Sequence, residues 1–196
     1  MKVILHNIRS IYNVGSIFRT ADAVGIEKIY LCGITPQPLD RFGAPLQKFT
    51  KVSLGAEKTV QWEFAKRTST VIDQLKKERY KIVAIEQSKK SMPYYKFKVA
   101  SHDIKNTVFV LGNEIKGLSP TILKKCDTIL EIPMHGKKES LNVAVAFGIV
   151  SFHFIGFEPE SPRIGGGMKG EVARRRLKIK GRRSRLFSEK PSPDAA

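Results

Sequence analysis

Five polar side chains, Asn13, Arg19, Glu114, Ser140 and Asn142, lie in three segments far apart in the chain. In residues 13–25, NVGSIFRTADAVG, Ile17, Phe18, Ala21 and Val24 recur at helical spacing, with Asn13 near the start and Gly25 as the C-terminal stop. Arg19 sits beside that apolar stripe. Taken alone it reads as an ordinary helix former on a solvated face. Residues 110–120, VLGNEIKGLSP, run from an apolar strand into a turn carrying Gly112, Glu114 and Gly117. Residues 131–150, EIPMHGKKESLNVAVAFGIV, run from a strand through a loop to Ser140, Leu141 and Asn142 at the mouth of an apolar helix. Ligands of open α/β sheets bind beyond the carboxyl ends of strands, so the second and third segments together predict one pocket. Taken singly, each piece also reads as structure: Gly112 and Gly117 as turn residues, Ser140 as a helix cap, Asn142 as a polar residue of a first turn.

Other site chemistries lack their residues. No G-x-G-x-x-G follows the first strand and no G-x-x-x-x-G-K-[ST] occurs, so neither a dinucleotide fold nor a P-loop is indicated. His6, His102, His135 and His153 have no metal-ligand spacing, and no metal is expected. Cys32 and Cys126 form no paired or metal-like pattern and read as reduced, buried thiols of a cytosolic protein.

The elements that must position these residues alternate. KVILHNI (2–8), KIYLCGI (28–34), KIVAIEQ (81–87), NTVFVLG (106–112) and TILEIPM (128–134) read as strands. Helices are expected over 14–24, over 68–80 with a Thr/Ser cap and Val71, Ile72 and Leu75 on one face, after Ser119 as cap with Pro120 in the first turn, and from near Ser140. The connection from Thr35 to Thr59 is long, and TVQWEFAK (59–66) predicts a short helix. Short β-branched strands separated by helices give an α/β domain with a mainly parallel, buried sheet.

The 196 residues fit one domain, 1–160, with an appendage, 161–196. Lys and Arg number 35 against 18 Asp and Glu, a formal +17, with a pI of about 10. Such a charge points to a polyanion, with nucleic acid first. Residues 163–196 hold eleven Lys and Arg against three Asp and Glu, a net +8, which leaves +9 for residues 1–162. That segment is expected to be disordered when free and to condense on phosphates; the plainer reading is a solubilising tail. No apolar run is long enough to span a bilayer, no basic amphipathic helix or lipidation motif is found, and MKVILHNIRS is too short and too soon polar for a signal peptide. A soluble cytoplasmic protein, not a membrane one, is expected.

NVGSIFRTADAVG, LGNEIKGLS and IPMHGKKESLNVAVA, in that order and at these separations, resemble the three signature motifs of the SpoU/TrmH family of RNA ribose 2′-O-methyltransferases, within the SPOUT superfamily. The resemblance covers residues 1 to about 157 and implies an α/β knot, a deep trefoil in the C-terminal part of the domain. It implies that S-adenosylmethionine sits bent in the knotted loops, in a site lined by Leu111, Gly112, Glu114, Gly117, Ile132, Met134, Ser140, Leu141 and Asn142. It further implies a homodimer whose active site is completed across the interface. Arg19 would be the essential group on the acceptor side. A guanidinium stays protonated, so it is read as positioning and electrostatic, with the proton acceptor unassigned. Asn13 would hold the ribose or orient Arg19, Glu114 would orient an arginine or the loop, and Ser140 and Asn142 would serve both cofactor and acceptor. One departure is Ala144, where the family often has serine; it is expected to touch helix packing more than chemistry.

The function so implied is methyl transfer to a ribose 2′-hydroxyl, with tRNA favoured because no separate RNA-binding domain precedes the catalytic one. The alternatives are an rRNA 2′-O-methyltransferase, or a non-catalytic RNA-binding or ribosome-assembly factor of the same fold. Lys48, Lys51, Lys58 and Trp62 are candidate RNA contacts, Trp62 by stacking; a core tryptophan is the other reading.

Overall fold

Val3, Ile4 and Leu5 are fully buried, although successive strand residues face opposite ways. Both faces of their strand must therefore be covered, as in the interior of a parallel α/β sheet. The computed structural model describes residues 1–99 and 103–155; the basic segment expected at 161–196 lies outside the described residues. Seven strands, β1 (Lys2–His6), β2 (Lys28–Cys32), β3 (Gln61–Ala65), β4 (Lys81–Ile85), β5 (Met92–Pro93), β6 (Thr107–Leu111) and β7 (Thr128–Glu131), form one sheet in the order β3-β2-β1-β6-β4-β7-β5. Every pairing in it is parallel. All strands thus end at the same edge, and the three segments singled out in the sequence all meet it.

Helices cover both faces. Val3, Leu5 and Phe109 belong to a core with Phe18 of α1 (Ile11–Val24), Phe49 of α2 (Gln47–Ser53), Ala56 of α3 (Ala56–Thr59) and Phe147 of α6 (Val143–Ile155). Ile4, Val108 and Val110 turn the other way, toward Ile72 and Leu75 of α4 (Thr68–Lys77) and Ile122 of α5 (Pro120–Leu123).

Several local expectations change. α1 begins at Ile11 rather than at 14, capped by Ser10: the Ser10 hydroxyl accepts the Asn13 N–H at 3.3 Å, which leaves Asn13 in the first turn with its side chain free for other work. Gly25 does close the helix, at φ +72°. No Thr/Ser side chain caps α4; Arg67 holds the cap position, and the Thr68 hydroxyl is turned to His6 Nδ1 at 2.7 Å. TVQWEFAK is not a helix. Its centre is the edge strand β3, which places Trp62 opposite Ile29 and packs it against the core. The long connection before it instead folds into α2 and α3. Cys32 is buried and Cys126 half-buried, both are free thiols, and burial pushes each pKa up to about 11. Among the described residues no helix is long and apolar enough to cross a membrane.

Candidate active site

The N-terminus of α1 leaves backbone N–H groups without helical partners, and a residue from the far half of the chain meets them. The Glu114 carboxylate, in the turn after β6, accepts from the N–H of Arg9 at 2.9 Å, the N–H of Ser10 at 3.0 Å and the Asn13 side-chain amide at 3.0 Å. Burial alone would raise its pKa, but these donors outweigh that and hold it below the usual carboxylate range. The Asn13 oxygen accepts in turn from Asn142 Nδ2 at 3.0 Å, and Asn142 Oδ1 accepts from the Ala144 N–H at 2.9 Å. Asn142 therefore caps α6. Ser140, the expected cap, stands two residues earlier and exposed. One continuous set of hydrogen bonds thus ties the starts of α1 and α6 to the turn after β6.

That turn can lie where it does only because it carries glycines. A Cβ on Gly112 would fall 2.6 Å from the carbonyl carbon of Gly117, and one on Gly117, which has φ +61°, would fall 2.5 Å from Glu86 Oε2. Asn113 shapes the tip: its Oδ1 accepts from Ile115 and Lys116 N–H, and its Nδ2 donates to the Asn7 carbonyl at 2.7 Å. Glu86, just past β4, accepts the Leu118 N–H at 2.7 Å and fixes the far end.

Above these groups opens a cavity of about 530 Å³. Leu111, Gly112, Glu114 and Gly117 line one side, and Ile132, Met134, Ser140, Leu141 and Asn142 the other. Asn13 reaches it from α1. Every residue expected at a cofactor site thus lines this one cavity, as do four of the five expected in catalysis. The fifth, Arg19, is exposed and does not line this cavity. It lies six residues beyond Asn13, roughly 9 Å along the helix axis. Tyr12, Ser16 and Arg19 follow one another at i, i+4 and i+7, beside the stripe of Asn13 and Thr20 that meets α6 through Asn142 and Gly148.

The sequence reading did not single out Asn113, Glu86, Gln87 or Glu131, all on the same cavity. Asn113 lay inside a motif already quoted. Glu86 and Gln87 follow a strand directly, which was the available signal. Gln87 Nε2 donates to the Glu139 carbonyl at 2.7 Å and so ties the loop before α6 to the end of β4. Ala144 is partly buried against the core, as its small side chain suits. Trp62 is half-buried against that core too, while Lys48, Lys51 and Lys58 are exposed on α2 and α3.

Among known proteins, the chain is 32% identical to the tRNA (guanosine(18)-2′-O)-methyltransferase of Aquifex aeolicus, over 76% of this chain and 66% of that one. It is 29% identical to the 23S rRNA (guanosine-2′-O-)-methyltransferase RlmB of Neisseria meningitidis, over 76% of this chain and 55% of that one. Its structure resembles that of an AdoMet-bound rRNA methyltransferase from Sinorhizobium meliloti, with a TM-score of 0.65 and 29% identity over 78% of this chain and 54% of the other. The chain spans between about half and two thirds of the length of the curated relatives it matches. The model of the SpoU rRNA methylase family matches residues 1–152, more than three quarters of the sequence, and takes in the strands, the cavity and the hydrogen-bonded set around Glu114; the chain belongs to that family.

Proposed function

We propose that this chain is an S-adenosylmethionine-dependent methyltransferase that modifies a ribose 2′-hydroxyl of RNA, tRNA first, as a homodimer. The observation that carries this reading is the convergence of three distant segments on one cavity through Glu114, Asn13 and Asn142. The residues present fit the cofactor. The volume falls within the roughly 300–1,000 Å³ of small-molecule sites. Gly112 and Gly117 allow the turn to close tightly on itself and on Glu86 at the cavity's edge, and Leu111, Ile132, Met134 and Leu141 offer apolar walls to an adenosyl group. When bound, the cofactor supplies an electrophilic methyl on a sulfonium whose neutral thioether is the leaving group.

The protein's part is alignment and charge. Asn13 and Asn142 are locked by their mutual hydrogen bond and by Glu114, so their remaining capacity points from a fixed frame, which favours one acceptor pose. Arg19 is proposed to hold the phosphate beside the acceptor ribose and to face the oxygen as charge develops on it. It is too far down α1 to do so in its own cavity and is assigned to a partner's. What supports a partner is α6, VAVAFGIVSFHFI, which has no charged residue and is apolar around its circumference. Such a helix belongs in an interior, yet Val145 is 49% and Phe152 40% exposed on one side of it. A second copy of this chain would cover that face and bring its Arg19 along. The knotted threading implied by the family resemblance belongs to the same proposal.

Incubation with bulk cellular RNA and methyl-labelled cofactor should place label in nuclease-resistant 2′-O-methyl dinucleotides. Label in the tRNA fraction supports the reading given first. Label confined to rRNA supports the second, which the Neisseria relative favours. No incorporation into any RNA overturns both.

A further inference from the structure

A second groove, of about 500 Å³, lies on the opposite side of the 113–117 turn from the first cavity, and Asn113, Ile115 and Gly117 line both. Its floor is the carboxyl end of β1, and most of the hydrogen-bonding capacity there is already used. The Asn7 side chain accepts the Ile34 N–H at 3.1 Å and donates to His6 Nε2 at 3.1 Å, and His6 Nδ1 is engaged with Thr68. The groups still able to bind a ligand stand at the rim. They are the guanidinium of Arg9, the ammonium of Lys116 and the hydroxyl of Ser119, all exposed. Arg9 and Lys116 take part in none of the ion pairs among the described residues. The residues lining this groove include no carboxylate. The same lining carries two of the most exposed large apolar side chains, Ile34 at 66% and Ile115 at 75%.

This combination selects its ligand. Rim groups that donate, two of them cationic, call for an anion, and flat apolar surface beside them calls for an uncharged ring face. A nucleotide offers both, and in RNA recognition unpaired nucleotides are the ones whose faces are open to packing. We infer that this groove binds a nucleotide of the same RNA strand, adjacent to the one whose ribose enters the first cavity, with its phosphate between Arg9 and Lys116 and its base on Ile34 and Ile115. The inference rests on the reading that RNA is the substrate. The turn carrying Glu114 then separates two seats on one strand, the acceptor ribose on one side and its neighbour on the other. This groove would decide which flanking nucleotide is accepted.

The test is fluorescence anisotropy of the full chain with a short, labelled single-stranded RNA of mixed sequence, without cofactor. R9A/K116A is compared with K77A/K105A, which removes the same charge from exposed positions near the opposite edge of the sheet. The groove pair should weaken binding about ten-fold and flatten the plot of log affinity against log salt by about 0.7, the value for one phosphate contact on a single strand; the control pair should change affinity less than about three-fold. The Arg9 N–H bond to Glu114 is a backbone one and survives alanine, and unchanged unfolding midpoints check that both variants fold. Equal losses in the two pairs overturn the inference, as does displacement of the RNA by polyglutamate at equal charge, which would make the groove a seat for acidic peptide. Methyl transfer is measured separately on the unaltered protein. Its absence beside a groove-dependent RNA affinity would refute the proposed reaction and leave the groove standing.

Discussion

Asn142 illustrates how much one side chain carries here. Its oxygen starts α6 and its nitrogen holds Asn13, so truncating it would loosen a helix start and one wall of the cavity together. His6 plays a comparable part beneath the second groove. Because Asn7 accepts from Ile34 and donates to His6 Nε2, that nitrogen must be the ring's acceptor, and Nδ1 carries the hydrogen given to Thr68. Protonation would set an N–H against the Asn7 amide. Burial already holds the His6 pKa below its ordinary value. The unfolded chain therefore binds the proton more readily, and stability should fall as pH drops through about 6.5, the ordinary histidine value. Urea midpoints measured from pH 7.5 to 5.5 should decline in the unaltered protein and lose that part of the slope in His6→Asn. A slope that persists undiminished would contradict the assigned tautomer.

The turn between β6 and α5 is the element on which the cavity depends. Gly112→Ala would drive a Cβ into the Gly117 backbone, and it should cost about 2 kcal/mol of stability and abolish cofactor binding in calorimetry. Gly136→Ala, in the loop before α6, meets nothing within 4 Å and should leave stability and affinity unchanged. The elements themselves were largely legible, since buried parallel strands write themselves as short β-branched runs such as KIVAI and TVFVL. QWEFA was not, although its aromatic residues alternate: an edge strand buries little, and five half-buried or exposed residues show no apolar face to read. The helices α2 and α3 escaped because seven- and four-residue elements bury one or two side chains each and leave no period to read. The motifs marked which loops form the site. The partners inside them, Asn13 with Glu114 and Asn13 with Asn142, are 101 and 129 residues apart, and no local pattern encodes such pairings.

Over the whole molecule, the two features that a single copy of the folded domain does not explain are the exposed side of α6 and the position of Arg19. Phe152→Glu should shift the protein from dimer to monomer in sedimentation and remove turnover, while the melting profile stays cooperative; a dimer unaffected by it would place the interface elsewhere. The strongly basic residues 163–196 should add affinity without choosing a site. Their deletion should weaken RNA binding and reduce its salt dependence, and an unchanged binding curve would show them to be a solubilising tail. The most direct test of the account mixes two inactive variants, Arg19→Ala and Asn142→Ala, with subunit exchange followed through differently tagged copies. Each alone should be inactive, the first with cofactor affinity nearly unchanged. Mixed dimers should recover 2′-O-methyl transfer, because one of their two sites combines an intact cavity with an intact arginine from the other chain. Exchanged dimers that stay inactive would contradict a site built from three loops of one copy and Arg19 of the next.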